Sequence, residues 1–415
     1  MEATQSSTQA RVAAHPIFDR KLKVHAYDLD FASGLESLCG VAVRGGSTAD
    51  LCTLMDLDGV VGPARAHIVF SRRHMLNDIP LLFPPERLIV GVGNGGAWNS
   101  DLAATCQKLS DLRYELTIPY SGPGPFSGPA LECASMVRMD ARKTSAREWE
   151  DACGRLSGQD TSVLVNNVQN GLCFSEAAAS GCQYFQGGFY RRAATRTGHY
   201  QLPVSEIRYL RLLEQVNRPE LPMDALEDLI KEDVALALRL LAFVNSAWFG
   251  FKTRIASIRH ALVLLGPPEV KKWASMLLVG ALSADKPAEL LRRCLIRARM
   301  AEEVAPLVGM GHRAPELFLM GMFSLVDVLT EMPMARVLDS LPVHMDLKLA
   351  LLAERGRFGS VHRLVSAYEQ GQWPAFAEAS SLLELPDGVV PGLFTTARKW
   401  ADEAMHVMWA EGGGR

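Results

Sequence analysis

The sequence has no run of about 18 apolar residues, the length a membrane-spanning helix needs. It has no Cys-x-x-Cys pair and no Cys/His array with zinc-like spacing. It also lacks a Gly-x-Ser-x-Gly nucleophile elbow, a phosphate loop ending in Gly-Lys-Ser/Thr, and any His-Asp dipeptide. Charge of one sign is scarce too, since 43 Lys and Arg against 46 Asp and Glu leave a net charge of −3. That balance gives no reason to expect a nucleic acid polymer or an anionic membrane as partner. The opening residues MEATQSSTQARVAAH contain no apolar core of the kind a secretory signal has. Residues 1–14 are therefore expected to be a short disordered lead, in a cytoplasmic protein.

With 415 residues, 48% of them hydrophobic and 21% charged, the chain is composed like a folded protein of two or three domains. The eight cysteines are Cys39, Cys52, Cys106, Cys133, Cys153, Cys173, Cys182 and Cys294. They sit mostly among apolar neighbours and are expected to be buried, reduced thiols.

Residues 15–198 read as mixed α and β. Lys23 to Phe31, Ala66 to Phe70, Arg87 to Val92, Tyr114 to Ile118, Ser135 to Met139 and Ser162 to Val165 are β-prone. Helical patterns such as Asn99 to Leu112 and Ala146 to Ser157 fall between them. Alternation of this kind predicts βαβ units and a largely parallel sheet. Pro119 to Pro129 reads as a surface loop.

Residues 199–410 read as helices only. Asp224 and Glu227 have the spacing of a capping box. Val234 to Val244 is apolar on almost every face and is expected to lie inside the domain. Gly250 suits the left-handed stop of that helical region, and Ser257 suits the cap of a helix ending at Gly266. Pro287 suits the first turn of a helix through Leu307, and Pro315 that of one running to about Thr330. Further helices are expected from Ser360 and Val361 and from Thr395 to Trp409. Arg292, Arg293, Arg297 and Arg299 read as a solvated face balanced by Glu302 and Glu303. Residues 411–415 are expected to be a flexible tail.

The run Asn245-Ser246-Ala247-Trp248-Phe249-Gly250, then Ile255, Ser257-Ile258, Ala261 and Leu264-Leu265-Gly266, resembles the HDOD domain. That helical signalling module is related to HD-type phosphohydrolases. His15-Pro-Ile-Phe-Asp19, Val24-His-Ala-Tyr-Asp-Leu-Asp-Phe31 and Tyr184-Phe-Gln-Gly-Gly-Phe-Tyr190 resemble the opening and the final strand of an EAL domain, a barrel-type cyclic di-GMP phosphodiesterase. The two in series resemble the EAL–HDOD family. The resemblance implies a shortened EAL-like (β/α) barrel over 15–198 followed by an all-helical HDOD domain over 199–410.

The resemblance also implies where the chemistry would stand. An EAL enzyme holds two hard divalent cations on acidic and amide oxygens at strand ends, with a lysine and a glutamate near the attacking water. The glutamate of the EAL motif falls on Asp28 and the nearby arginine on Ala32. The next asparagine falls on Val69, the next glutamate on Gly91, and the paired aspartates on Pro119 and Tyr120. The lysine falls on Arg138, with Asp140 kept, and the last glutamates fall near Asn166 and Gln169. Gln186 is kept. In the second half, Ser324 and Leu325 stand where an HD hydrolase would carry its His-Asp pair. Gly91 to Gly96 also matches G-x-G-x-x-G, but no acid ends the strand that follows, and the run reads as a turn.

The expectation is therefore a regulatory scaffold without catalysis, cofactor or metal. It would bind protein partners through the HDOD half, near Asn245, Ser246, Trp248 and Phe249, with Trp248 as a candidate anchor. A non-catalytic cyclic di-GMP receptor and an active phosphodiesterase remain as alternatives.

Overall fold

The computed structural model describes residues 10–33, 35, 56–93, 99–120, 122, 129–191, 204–216, 223–246, 248–386 and 388–409. The second half of the G-x-G-x-x-G run, most of the Pro119 to Pro129 stretch and the 411–415 tail lie outside the described residues. Two compact units divide between residues 192 and 193, with 369–371 counted to the first.

In the first unit the strands are β1 Val12–Asp19, β2 Val24–Phe31, β3 Arg65–Phe70, β4 Leu88–Val92, β5 Glu115–Pro119, β6 Met136–Asp140, β7 Ser162–Asn166 and β8 Tyr184–Gln186. They close into a barrel in sequence order. All neighbouring pairs from β2 to β8 are parallel, while β1 runs antiparallel to both β2 and β8. The shortened barrel thus has no open edge, since β1 bonds both of its neighbours. Helices α1 Leu57–Val61, α2 Arg72–Leu76, α3 Ser100–Asp111, α4 Pro129–Glu132, α5 Ala146–Leu156 and α6 Gly171–Ala179 fall between strands. Side-chain caps start several of them: Asn99 caps α3, Asn170 caps α6, and Ser145 with Glu148 forms a full capping box on α5. Val12, Ala13 and Ala14, expected in the disordered lead, are instead the buried start of β1. Pairing with Phe31, Asp30 and Leu29 of β2 recruits them.

The second unit is helical. Its elements are α7 Val204–Val216, α8 Met223–Lys231, α9 Val234–Val244, α10 Ile258–Leu282, α11 Ala288–Leu307, α12 Ala314–Phe323, α13 Val326–Thr330, α14 Met334–Ser340, α15 Met345–Ala353, α16 Gly356–Glu369, α17 Trp373–Leu382 and α18 Val389–Trp409. Helix α10 is two helices broken at Gly266, whose φ of 66° no continuous helix allows, with Pro267 and Pro268 after it.

Several expectations need correction here. Helix α9 buries one stripe, Leu236, Leu240, Phe243 and Val244, and leaves Val234 and Leu238 73% and 63% exposed. Asp224 lies inside α8 and, with Glu227, engages Arg259 rather than forming a capping box. The helix from Pro315 stops at Phe323 and restarts at Val326. Helices α16 and α18 begin earlier than expected, at Gly356 and Val389. The arginines of α11 are not a solvated face. Arg293 is 3% exposed beside Glu289, and Arg297 is 5% exposed beside Ser324. Helix α11 packs against both α12 and α18, so its charged side chains are drawn inside and find partners there.

Helices α11 and α12 meet at Gly321, where an added Cβ would lie 2.3 Å from the backbone nitrogen of Ala298. Backbone on both sides leaves nothing to yield. Gly321→Ala is therefore expected to destabilise the helical unit by about 3 kcal/mol. Urea unfolding followed by circular dichroism checks this, and an unchanged midpoint would contradict the close approach.

Candidate functional site

Alternate residues of the barrel strands point into the bore, as strand periodicity requires. The lower bore is apolar, with Ile17, Ala26, Ile89, Met136 and Leu164 packed together and Tyr184 against them. Nearer the C-terminal ends of the parallel strands the lining turns polar. Here Asp28, His67, Thr117 and Gln186, from four different strands, form one hydrogen-bonded chain. His67 Nε2 lies 2.7 Å from Thr117 Oγ1, and His67 Nδ1 lies 2.6 Å from Asp28 Oδ1. Gln186 Nε2 donates to Asp28 Oδ2 at 2.8 Å. Arg138 enters from β6 and donates to the carbonyl of Val92 at 3.2 Å.

Asp28 is mostly buried, and burial works against its charge. The charge and hydrogen bond of His67, with His15 and Arg138, outweigh that cost and hold the carboxyl below its ordinary range. Arg138 carries the complementary effects, since burial makes its charge costlier and Asp28 favours it. Gly91 of β4 faces the same chain. A Cβ there would come within 2.9 Å of His67 Nε2 and 3.0 Å of Val69 Cγ2. The imidazole thus fills the volume that any side chain at 91 would need.

Above this layer Pro119, Tyr120, Arg138, Asp140, Lys143, Thr144 and Asn166 line a cavity of about 320 Å³. Asp140 accepts from Arg142 Nε and Nη2 at 3.1 and 2.9 Å, and chiefly for that reason its pKa is lowered to about 2. Asn166 Oδ1 is buried without a hydrogen-bond partner among the described residues. Val69 is exposed at its strand end, Gln169 is exposed beyond β7, and Ala32 lies half-buried past the end of β2. Neither Ala32 nor Gln169 lines the cavity. Sequence reasoning missed His67 and Thr117. Strand parity puts both in the bore, but nothing local in the sequence pairs them.

The family resemblance implies two hard cations here, each asking for six or more oxygen ligands. The oxygens of Asp28 are committed to His67 and Gln186, those of Asp140 engage Arg142, and the cationic Arg138 shares the bore. Among the described residues, no group of three or more His, Cys, Asp or Glu side chains is arranged to hold a metal ion. The donor set does not fit such a pair.

In the helical unit Ser324 and Leu325 are buried between α12 and α13. Ser324 Oγ donates to the carbonyl of Gly321 at 2.7 Å and lies 3.2 Å from Arg297 Nη1. Burial raises the pKa of Asp327, with Arg297 acting the other way. On the loop after α9, Asn245 is a brace. Its Nδ2 donates to the carbonyls of Leu241 and Ile255, and its Oδ1 accepts from the Ile255 N–H, all at 2.7 Å. Ser246 shapes the same turn by accepting from the Phe249 N–H. Phe249 stacks on Phe251 and meets Phe243 edge-on. Trp248 is 42% exposed, with the Arg299 guanidinium 4.2 Å from its ring centroid and Trp400 at its edge.

A closed eight-stranded barrel in series with a helical unit is the arrangement these features define. Residues 202–357 match the HDOD domain family, so the chain carries an HDOD domain. Along most of its length it is similar to two bacterial proteins. One is the cyclic di-GMP phosphodiesterase CdgJ of Vibrio cholerae, 27% identical over 87% of this chain and 85% of that protein. The other is YuxH of Bacillus subtilis, 25% identical over 90% and 94% respectively. Among solved structures, Klebsiella pneumoniae BlrP1 in complex with calcium and cyclic di-GMP overlaps 46% of this chain and 58% of its own, at 14% identity and a TM-score of 0.36. Among the described residues no single helix is long and apolar enough to cross a membrane.

Asp28→Asn would remove the carboxylate that pairs with His67 in the bore and is expected to cost the barrel about 3 kcal/mol at neutral pH. Because the native pKa is depressed, the stabilisation is complete above the unfolded value of about 3.9 and is lost as pH falls through the native one. The difference between variant and parent in urea midpoint should therefore be large at pH 7 and shrink below about pH 4. A difference that does not change with pH would show that the carboxylate charge is not what Asp28 contributes.

Proposed function

We propose that this chain is a bacterial regulatory protein that acts without catalysis, in or near cyclic di-GMP signalling, and that its HDOD domain binds protein partners. The signalling context is supported by the Vibrio cholerae relative, named as a phosphodiesterase for that nucleotide. The non-catalytic reading rests on one observation: the carboxylate at the EAL position, Asp28, is tied into the Asp28–His67–Thr117 chain, with the Arg138 guanidinium beside it. Metal-assisted hydrolysis needs a water activated between cations. A guanidinium stays protonated and cannot take a proton from that water. Ser324, bonded to Arg297, and the buried Leu325 support the same reading for the second half.

The partner surface of this reading is the loop from Asn245 to Phe251 with the exposed side of α9. Asn245 and Ser246 give the loop its shape, while Trp248 offers an aromatic anchor already held flat by Arg299. Val234, Leu238, Phe251 and Val263 extend the exposed apolar surface of these consecutive segments. No cofactor enters this reading.

A second reading, a non-catalytic nucleotide receptor, is favoured by the cavity over the bore, where Arg138 and Lys143 offer positive charge and Asn166 an unpaired acceptor. Calorimetric titration of cyclic di-GMP with magnesium or manganese present, followed by chromatography of the nucleotide, separates the possibilities. Intact nucleotide without heat is the expected result. Saturable heat with intact nucleotide would favour the receptor, and appearance of the linear dinucleotide would overturn the non-catalytic reading.

A further inference from the structure

We propose that Cys153 and Cys182 form a reversible thiol–disulfide site on the barrel unit, oxidised by a hydroperoxide. The two sulfurs lie 3.8 Å apart, one on α5 and the other on the turn that enters β8. That turn lies directly on the helix. Gly181 has a φ of 101°, and a side chain there would come within 3.2 Å of Cys153 Cβ. Arg20 Nε donates to the carbonyl of Cys182 at 2.7 Å, which brings a guanidinium beside the pair. Cys182 is fully buried. Cys153 is partly exposed and lines a surface cleft of about 630 Å³ with Glu150, Gly154, Ser180, Gly181 and Gln183. A small oxidant therefore reaches one sulfur while the other waits behind it.

The electrostatics give the pair a direction. The Cys182 thiol hydrogen-bonds the Cys153 sulfur, and this, with the charge of Arg20, holds Cys153 below the usual thiol range despite partial burial. The same contact and burial push the Cys182 thiol up. Cys153 is thus the attacking sulfur and Cys182 the resolving one. The other neighbouring thiols differ. Cys106 and Cys133 are both buried, burial followed by Cys133 pushes Cys106 up to about 11, and Cys133 donates to Gln107.

The chemistry balances with one hydroperoxide. The Cys153 thiolate takes the terminal oxygen, the O–O bond breaks, and the departing alkoxide or hydroxide recovers the proton that Cys153 released. Cys153 is then a sulfenic acid. The Cys182 sulfur attacks the Cys153 sulfur, the S–O bond breaks, and hydroxide leaves as water with the Cys182 proton. Two thiols have lost two electrons, and the peroxide has gained them. A disulfide of about 2.05 Å asks the sulfurs to close from 3.8 Å, a movement within reach of side-chain rotation. The bond would tie α5 to the entry of β8, the strand that carries Gln186.

The test treats the full chain with equimolar hydrogen peroxide, blocks remaining thiols and maps peptides without reduction. A Cys153–Cys182 cross-linked pair, 2 Da lighter and released by dithiothreitol, is expected. Cys182→Ser should leave Cys153 as a sulfenic acid that dimedone traps, and Cys153→Ser should leave Cys182 unmodified. Full alkylation of Cys153 after peroxide, or cross-links scattered over other cysteines, would overturn the proposal.

Discussion

A mostly buried carboxylate sits at the mouth of the barrel, and the polar layer around it follows from the groups that keep it charged. Asp28 keeps its charge in a mostly enclosed place because His67, His15 and Arg138 compensate the lost hydration. His67 in turn is fixed at both nitrogens, one by Asp28 and one by Thr117, so its ring cannot turn without breaking a short hydrogen bond. Gln186 completes Asp28 from the last strand. Four strands far apart in sequence are thereby held in register by one set of polar contacts above an apolar plug. The same layer limits what chemistry the mouth can host, because each group is satisfied by a neighbour.

The helical unit solves a similar problem at α11. Arg293 and Arg297 are buried among packed helices, and each has an internal partner, Glu289 and Ser324. Lys272 is enclosed with Glu269 and Glu302 and lies over the ring of Phe318. Buried charges of this kind add little net stability but are costly to unpair, so they favour one packing over its neighbours.

Much of the fold was legible in the sequence because it rests on local signals. The strand runs from Lys23 to Val165, the helix from Val234 to Val244 and the break at Gly266 each carry their own periodicity or stop residue. What was not legible depends on distant partners. Nothing in Val12 to Ala14 announces a strand until Leu29 to Phe31 of β2 offer an edge. The arginines of α11 read as solvated because the helices that cover them, and Asp402, which pairs with Arg292, come from elsewhere in the chain. The family resemblance pointed to Asp28, Arg138 and Gln186, yet the residue that bonds Asp28, His67, was passed over. Its significance lies in the empty position at Gly91, which sequence can name but not measure.

That empty position also constrains the history this barrel can follow. A side chain at residue 91 would force the His67 ring, 2.9 Å from where its first carbon would be, to move. Removing His67 first would strand Asp28 and Thr117 without their shared partner. Either single step passes through a less stable intermediate, so the two positions are epistatic. The packing acts as a ratchet, and substitutions at 67 and 91 should be tolerated together more readily than one at a time.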